Sequence, residues 1–331
     1  MLLKETLELF LITHNREQAL RRTIGRLLGV NSPVREISLH VLDNKSTDGT
    51  HAVVKEFATH HTNLHYICNK YNIGLGGNII KAMEMATKPY FWILCDDDDF
   101  NWAAWPEIEK ALLSGQYDII MTTYTEGFRN ETIPYLINEM NFVPSAIYKT
   151  AHIDNTVMIN AYAMAHNLFP FHALSTKIIN NHGKIFVPQK RMVLQNYGKK
   201  SHSITQLKPR IYRRLQTFSL LWGMVDAYSL LEDRKLRYAC MNVLCLGHSF
   251  LESINIFCHW FPFSWQNLFD IFYYVSWKQK LQILLILLII PIRKISPIDL
   301  YRTDRGINIR LFWVIRTRFL LAPQKTKNSR N

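Results

Sequence analysis

The sequence predicts an α/β fold, a mostly parallel sheet with helices on both faces, followed by a separate helical module. Three observations carry this. Apolar runs of strand length alternate with segments of helical periodicity through the first 125 residues. The connections between them are short, as in sheets built by crossover. Charge is unevenly spread: residues 1–205 hold 20 Lys and Arg against 19 Asp and Glu, whereas residues 206–331 hold 19 against 7. Nearly all of the +13 formal charge therefore lies in the last two fifths. Such asymmetry suggests two modules, 1–205 and 206–331, the second facing an anionic partner.

The elements follow in order. Leu7–Thr13 ("LELFLIT") is a first strand, and Arg16–Leu28 is a helix with Leu20, Ile24, Leu27 and Leu28 at helical spacing. Ile37–Leu42 is a second strand. Ser46, Thr47 and Asp48 are helix-capping residue types before a helix reaching about Ala58. Leu64–Cys68 is a third strand and Asn78–Ala86 a helix. Tyr90–Cys95 is a fourth strand, Ala104–Leu113 a helix and Asp118–Thr123 a fifth strand. Between Phe142 and Tyr197 short apolar runs mix with polar turns and give no clear pattern. The polar, basic segment Gly198–Arg210 marks the module boundary, and Ile211 to about Ile256 reads as helical.

The chain has 331 residues, 48% of them apolar, enough for a substantial core and against disorder. Its five cysteines are odd in number, lack CxxC spacing and have no His cluster beside them. Reduced thiols in a cytoplasmic protein are expected, rather than disulfides or a zinc site. The start, "MLLKETLELF", lacks a basic segment followed by a long apolar run, so no signal peptide is expected.

Ligands of parallel sheets bind beyond the carboxyl ends of the strands. Three segments lie there. The first is "VLDNKSTDGT", with Asp43 at a strand end, able to accept hydrogen bonds from a nucleobase or ribose. The second is "NKYNIGLGGNIIKA", containing Asn72, where Gly74, Gly76 and Gly77 allow close backbone approach to a bulky ligand. The third is Asp96–Asp99, four carboxylates that raise one another's pKa unless a cation sits among them. A divalent cation bridging a diphosphate would relieve the repulsion. The bland readings are a solvated loop for the Asp run, a helix-capping or turn Asp43, and ordinary turn glycines.

Taken together, "FLITHNR", "VLDNKSTDGT", "NIGLGGN" and "WILCDDDD" resemble family 2 glycosyltransferases with the GT-A fold, closely over residues 6–125 and loosely to about 205. The resemblance implies an inverting transferase that moves one sugar from a nucleotide-sugar donor, UDP-linked as is usual in the family. The acceptor would be a saccharide or lipid-linked saccharide in cell-surface polysaccharide or lipopolysaccharide synthesis. It implies that Asp43 contacts the base and that Thr13, Asn15 and Arg16 line the nucleotide pocket. The Asp-x-Asp (DXD) element falls on Asp96 and Asp98, with Asp97 beside the nucleotide and Asp98 as the principal ligand of Mn²⁺ or Mg²⁺. A register one residue later, Asp97 with Asp99, is the alternative. Many members take their base from a downstream Glu-Asp pair, which is missing between 126 and 205. Asp154 and His172 are the candidates for that role. A structural place for either is the competing reading.

The QxxRW element of processive synthases is absent, which favours transfer of a single sugar. A sugar-1-phosphate nucleotidyltransferase would carry a Gly-rich basic loop after the first strand, and "THNREQ" does not. A non-catalytic nucleotide-sugar- or lipid-binding protein of the same fold is the other rival. In the second module, 11 of the 28 residues from Phe250 to Trp277 are aromatic, and Ile283–Ile292 is wholly apolar between cations. Even the twelve residues 281–292 would span only about 18 Å as a helix, short of the ~30 Å hydrocarbon core. A helix lying at the interface is therefore expected, on the inner face of the cell membrane, against anionic lipid. Packing within a helical domain is the alternative, and no nucleic-acid partner is expected.

Overall fold

Every residue of strand β1 (Leu7–Thr13), preceded by the short helix α1 (Leu3–Thr6), is buried. A strand so apolar is stable only with sheet on both edges and helices on both faces. The computed structural model describes residues 2–124, 131–194, 223–246, 265–295, 298–303 and 306–311 and provides that setting. Helix α2 (Glu17–Leu28) leads to β2 (Ser38–Asp43), and α3 (Thr50–Ala58) to β3 (Leu64–Cys68). Helix α4 (Gly74–Met85) then carries the chain back across β1 to β4 (Tyr90–Cys95). Strands β2 and β4 flank β1 in parallel, with Thr13 opposite Asp43 and Ile12 opposite Cys95.

The first crossovers step to one side of β1 and the α4 crossover returns to the other. The carboxyl ends of β1 and β4 therefore border the switch point, where a crevice opens in such sheets. Leu7, Leu9 and Leu11 belong to a core cluster with Leu20, Ile24, Val53 and Val54. On the other face Phe10 stacks on His40 and meets Phe91 edge-on.

Beyond β4 the chain forms β5 (Asp99–Phe100), α5 (Trp105–Ser114) and β6 (Ile119–Met121). Helices α6 (Ile133–Glu139), α7 (Asn155–Ala163) and α8 (His172–Asn180) follow, with strands β7 (Ala146–Lys149), β8 (Ile185–Phe186) and β9 (Val193–Leu194) among them. The main sheet runs β3-β2-β1-β4-β7-β6-β8, with β7 antiparallel to both neighbours. The expected fifth strand is thus shorter than 118–123 and is separated from β4 by β7. Trp92 fixes this insertion, its Nε1 donating to the Pro144 carbonyl at 2.8 Å. Strands β5 and β9 pair antiparallel and tie the chain after the Asp run to residues 193–194.

Of the expected helical stretch 211–256, residues 223–229 (α9) and Arg234–Met241 (α10) are helical. Residues 211–222 and 247–256 lie outside the described residues, as does the expected boundary at 205/206. The chain divides into two compact units, Met1–Leu244 and Cys245–Asn331. The second contains α11 (Trp265–Tyr274), α12 (Trp277–Ile295) and an antiparallel hairpin, β10 (Ile298–Thr303) with β11 (Gly306–Leu311). Among the described residues no helix is long and apolar enough to cross a membrane.

Helix α4 starts earlier than its hydrophobic pattern predicts, because Gly74 takes a left-handed φ of +76° and opens the first turn. A Cβ on Gly76 would stand 2.4 Å from the Ala165 carbonyl oxygen and 2.9 Å from that of Asn167. Gly76→Ala should therefore lower stability by about 1–3 kcal/mol, as overpacking against backbone does. Urea unfolding measures it as a lower midpoint at unchanged slope. A midpoint equal to wild type would mean α4 is not seated on that loop.

Candidate active site

The acidic run sits at the switch point because β4 ends there and β1 supplies its partners. Thr13, the last residue of β1, donates from Oγ1 to Asp96 Oδ2 at 2.6 Å. Thr23 on α2 donates to the Asp96 carbonyl at 2.9 Å. Arg16, at the N-terminal boundary of α2, places Nη1 3.0 Å from Asp96 Oδ1 and Nη2 2.6 Å from Asp97 Oδ2. The chain turns at Asp96 and Asp97 and re-enters strand at Asp99, and this path leaves Asp96 and Asp98 buried and Asp97 and Asp99 half-exposed. Asp99 pairs with Arg26.

Asp98 differs from its neighbours. Its side chain is 3% exposed, and Oδ2 is buried with no hydrogen-bond partner. Burial, then the charges of Asp97 and Asp96, push its carboxyl up to about 8, against the pull of Arg16 and Arg191. Burial raises Asp96 to about 7, opposed by Arg16 and the Thr13 hydroxyl. Arg191 is absent from the sequence-derived site. It belongs to the segment that folds over the Asp run, where Asn101 binds the carbonyls of Met192 and Arg191.

Asp43 is buried at the end of β2 and turned toward its own loop. Oδ1 accepts from the Ser46 amide at 2.9 Å and the Ser46 hydroxyl at 2.5 Å, and Oδ2 from Tyr66 at 2.6 Å. Asn15, with φ of +51°, joins this loop to the end of β1. Its amide donates to Ser46 Oγ at 2.8 Å and its Oδ1 accepts from the Thr47 amide at 2.7 Å. Of the bland readings of Asp43, these Ser46 contacts are those of a turn Asp, while Asp48 receives the Thr50 and Glu17 amides at the starts of α3 and α2.

The third segment is held by asparagines. Asn44 Nδ2 donates to Asn72 Oδ1 at 2.9 Å, and Asn44 Oδ1 accepts from Asn69 Nδ2 and the Ile73 amide. Asn78 donates to the Leu42 carbonyl, and Lys81 to Asn69. Asn72 Nδ2 lies 3.2 Å from His14 Nε2. The glycines divide in role. Gly74 borders open space, while Gly76 and Gly77 make their close approaches to the chain itself, at Ala165 and Ile73. For those two, the expected approach to a ligand is replaced by packing.

The two positions expected to supply a base hold structural places. Asp154 is the N-cap of α7, accepting from the Val157 amide at 2.8 Å, and pairs with Lys177 at 3.2 Å. His172 is fully buried against Phe169 and Phe171, with Nε2 3.1 Å from Asn141 Oδ1. Burial pushes its pKa down to about 3, so it is neutral and shut off from solvent.

No cluster of three or more His, Cys, Asp or Glu in metal-holding geometry occurs among the described residues. A cation shared with a diphosphate needs only one or two protein carboxylates. The unpaired Asp98 oxygen beside Asp96 meets that requirement with the hard oxygen donors that Mn²⁺ or Mg²⁺ prefers.

Residues 9–174 match the family model described as "Glycosyl transferase family 2". No curated protein matches the chain by sequence. Among solved structures, S. aureus TarS residues 1–349 in complex with UDP-GlcNAc superposes at a TM-score of 0.56 and 14% identity, covering 93% of this chain and 97% of that one. A second structure of S. aureus TarS gives 0.58 and 16%, covering 92% of this chain and 58% of that one. At such identities the likeness is one of fold.

The raised carboxyls predict a pH dependence with a definite sign. In the folded protein Asp96 and Asp98 hold protons to about pH 7 and 8, while unfolded Asp loses its proton near pH 4. Their contribution is complete below the unfolded value and is lost as pH rises through the folded values. Ligand-free, metal-free protein should therefore melt lower at pH 8.5 than at pH 5.5 by these groups. Asp98→Asn should flatten that slope, read by thermal unfolding across the range. A slope unchanged in Asp98→Asn would mean that Asp98 is ionised throughout.

Proposed function

The chain belongs to glycosyltransferase family 2, and from that premise we propose that it moves one sugar from a nucleotide-sugar donor to a saccharide or lipid-linked saccharide. One observation carries the reading. The buried Asp98 oxygen without a partner stands beside Asp96, which is anchored by Thr13 and Arg16 at the switch point. A buried acceptor left unmet costs about 1–3 kcal/mol, which a bound cation would recover. In the proposal Asp96 meets the ribose and, with Asp98, the cation. Mn²⁺ or Mg²⁺, when bound, offsets charge on the departing diphosphate. What this favours is Asp98 as the cation's principal ligand, since Asp96 and Asp97 both pair with Arg16 and Asp99 with Arg26.

Asp43 and Asn15 are proposed to bound the base pocket, with Asn72 and Gly74 at its rim. A uridine donor is in keeping with the UDP-GlcNAc bound by the S. aureus structure. The sugar's C1–O bond to diphosphate breaks as the acceptor oxygen bonds C1 from the opposite side, inverting the centre. The acceptor's proton passes to a base, a role the proposal gives to neither Asp154 nor His172. The setting proposed is surface polysaccharide or lipopolysaccharide assembly at the cytoplasmic face of the cell membrane. Its support is the +12 charge of residues 206–331.

A panel of nucleotide sugars, each with and without Mn²⁺, tests this by thermal shift and by donor turnover. A true donor at 100 times its dissociation constant should stabilise the fold by about 2.7 kcal/mol. Asp98→Ala should keep the fold and lose turnover by orders of magnitude, since metal stabilisation of the leaving group amounts to several kcal/mol. Asp97→Ala should lose much less. Full activity in both Asp96→Ala and Asp98→Ala would refute the assignment of the acidic run. Binding of a donor with no transfer or hydrolysis would favour a non-catalytic binding protein.

A further inference from the structure

Helix α12 is apolar on two sides, and only one of them is buried. Gln279, Ile283 and Ile286 are covered. Trp277, Leu281, Leu284, Leu285 and Leu288 are exposed, Trp277 at 77% and Leu288 at 70%. At about 100° per residue these five lie within roughly 100° of arc, and the covered three lie on the far side. Lys278 falls about 100° from Trp277 on one border of the exposed stripe, and Lys280 about 60° away on the other. Both are at the surface, Lys278 fully and Lys280 in part. The helix contains no Asp or Glu. It begins in a reciprocal cap: the Ser276 amide donates to Gln279 Oε1 at 2.7 Å and the Gln279 amide lies 3.4 Å from Ser276 Oγ. The preceding helix adds Phe269 and Tyr273, one turn apart and 67% and 75% exposed.

An exposed apolar stripe of this size needs a covering partner. We infer that the stripe is an in-plane contact with an anionic lipid surface. This rests on the membrane reading above and names its contact face. Trp277 stands at the start of the stripe, and amphipathic rings prefer the headgroup boundary. Lysine stems reach along apolar surface while the ammonium stays in water, so cations on both borders suit a helix half-sunk between phosphates. Nineteen residues make a helix of about 28 Å, and its covered side is packed on protein, so the helix lies along the surface rather than across it. A protein partner would be expected to place acids opposite these lysines or complete a dry interface. Lysines on both borders of the first turn, in a helix without Asp or Glu, point to phosphate.

The test uses the full chain and sedimentation with phosphatidylcholine vesicles, with and without phosphatidylglycerol. Wild type should bind the anionic vesicles. Trp277→Ser with Leu284→Ser and Leu288→Ser should bind at least about tenfold more weakly, at high salt as well as low, because burial of apolar surface is lost. Lys278→Gln with Lys280→Gln should weaken binding mainly at low salt. Circular dichroism and donor turnover on a soluble acceptor should be unchanged in both. Wild type that ignores vesicles overturns both this inference and the membrane reading. Equal binding by wild type and the triple variant overturns the stripe alone. Self-association of wild type, abolished in the triple variant without change in vesicle binding, would assign the face to a second copy of the chain.

Discussion

Arg16 is the cation on which the crevice depends. Its two terminal nitrogens reach Asp96 and Asp97, residues eighty places further along the chain. The planar fork suits this, since a guanidinium presents paired donors in a fixed geometry and an ammonium does not. Without it, three adjacent carboxylates at the end of a buried strand would face one another with Arg191 as remaining relief. Breaking a buried pair leaves an uncompensated charge, which is far costlier than replacing the pair outright. Arg16 also stands at the boundary of α2, so the same contact joins the first crossover helix to the end of β4.

The rest of the crevice is fixed by neutral polar groups. Ser46, Tyr66 and Asn15 hold the loop after β2, and Asn44, Asn69, Asn72 and Asn78 hold the loop after β3 to it. Each asparagine both donates and accepts, so buried loops can be satisfied without adding charge. That leaves the carboxyls of the Asp run as the groups at the switch point whose charge can change, Asp96 and Asp98 being raised by burial. Neutral scaffolding with concentrated charge is a sound base for recognising a polar ligand, because little rearrangement is needed when it arrives.

The parallel part of the sheet was legible because β1 and β4 are long, nearly continuous apolar runs and their helices carry regular spacing. Strand β7 was not. Four residues, Ala146–Lys149, have no periodicity to read, and their place between β4 and β6 comes from tertiary contacts such as Trp92 with Pro144. The inward-facing residues of the Asp run, Asp96 and Asp98, alternate as an extended chain would, although the chain turns at Asp96 and Asp97. Their cation could not be anticipated, since nothing local ties Arg16 to Asp97 or Arg191 to Asp98. The glycines after β3 read as a turn, yet two of them serve helix packing, for a missing Cβ looks the same whether a ligand or a carbonyl fills the space. For His172 the competing structural reading is the one the fold fits: it is packed on Phe169 and Phe171 with Nε2 toward Asn141.

Asp98 enters neutral solution as an acid that has kept its proton. Any cation that takes its oxygen must therefore exchange with that proton, and the binding event becomes an ion swap rather than an addition. Were a cation held there as proposed, its occupancy would track acidity as well as metal supply, and a fall in pH would oppose loading by competition. The heat of loading would depend on the buffer that receives the released proton. A single carboxyl held in a dry corner thus links the acid–base state of the surrounding solution to whether the crevice is charged for use.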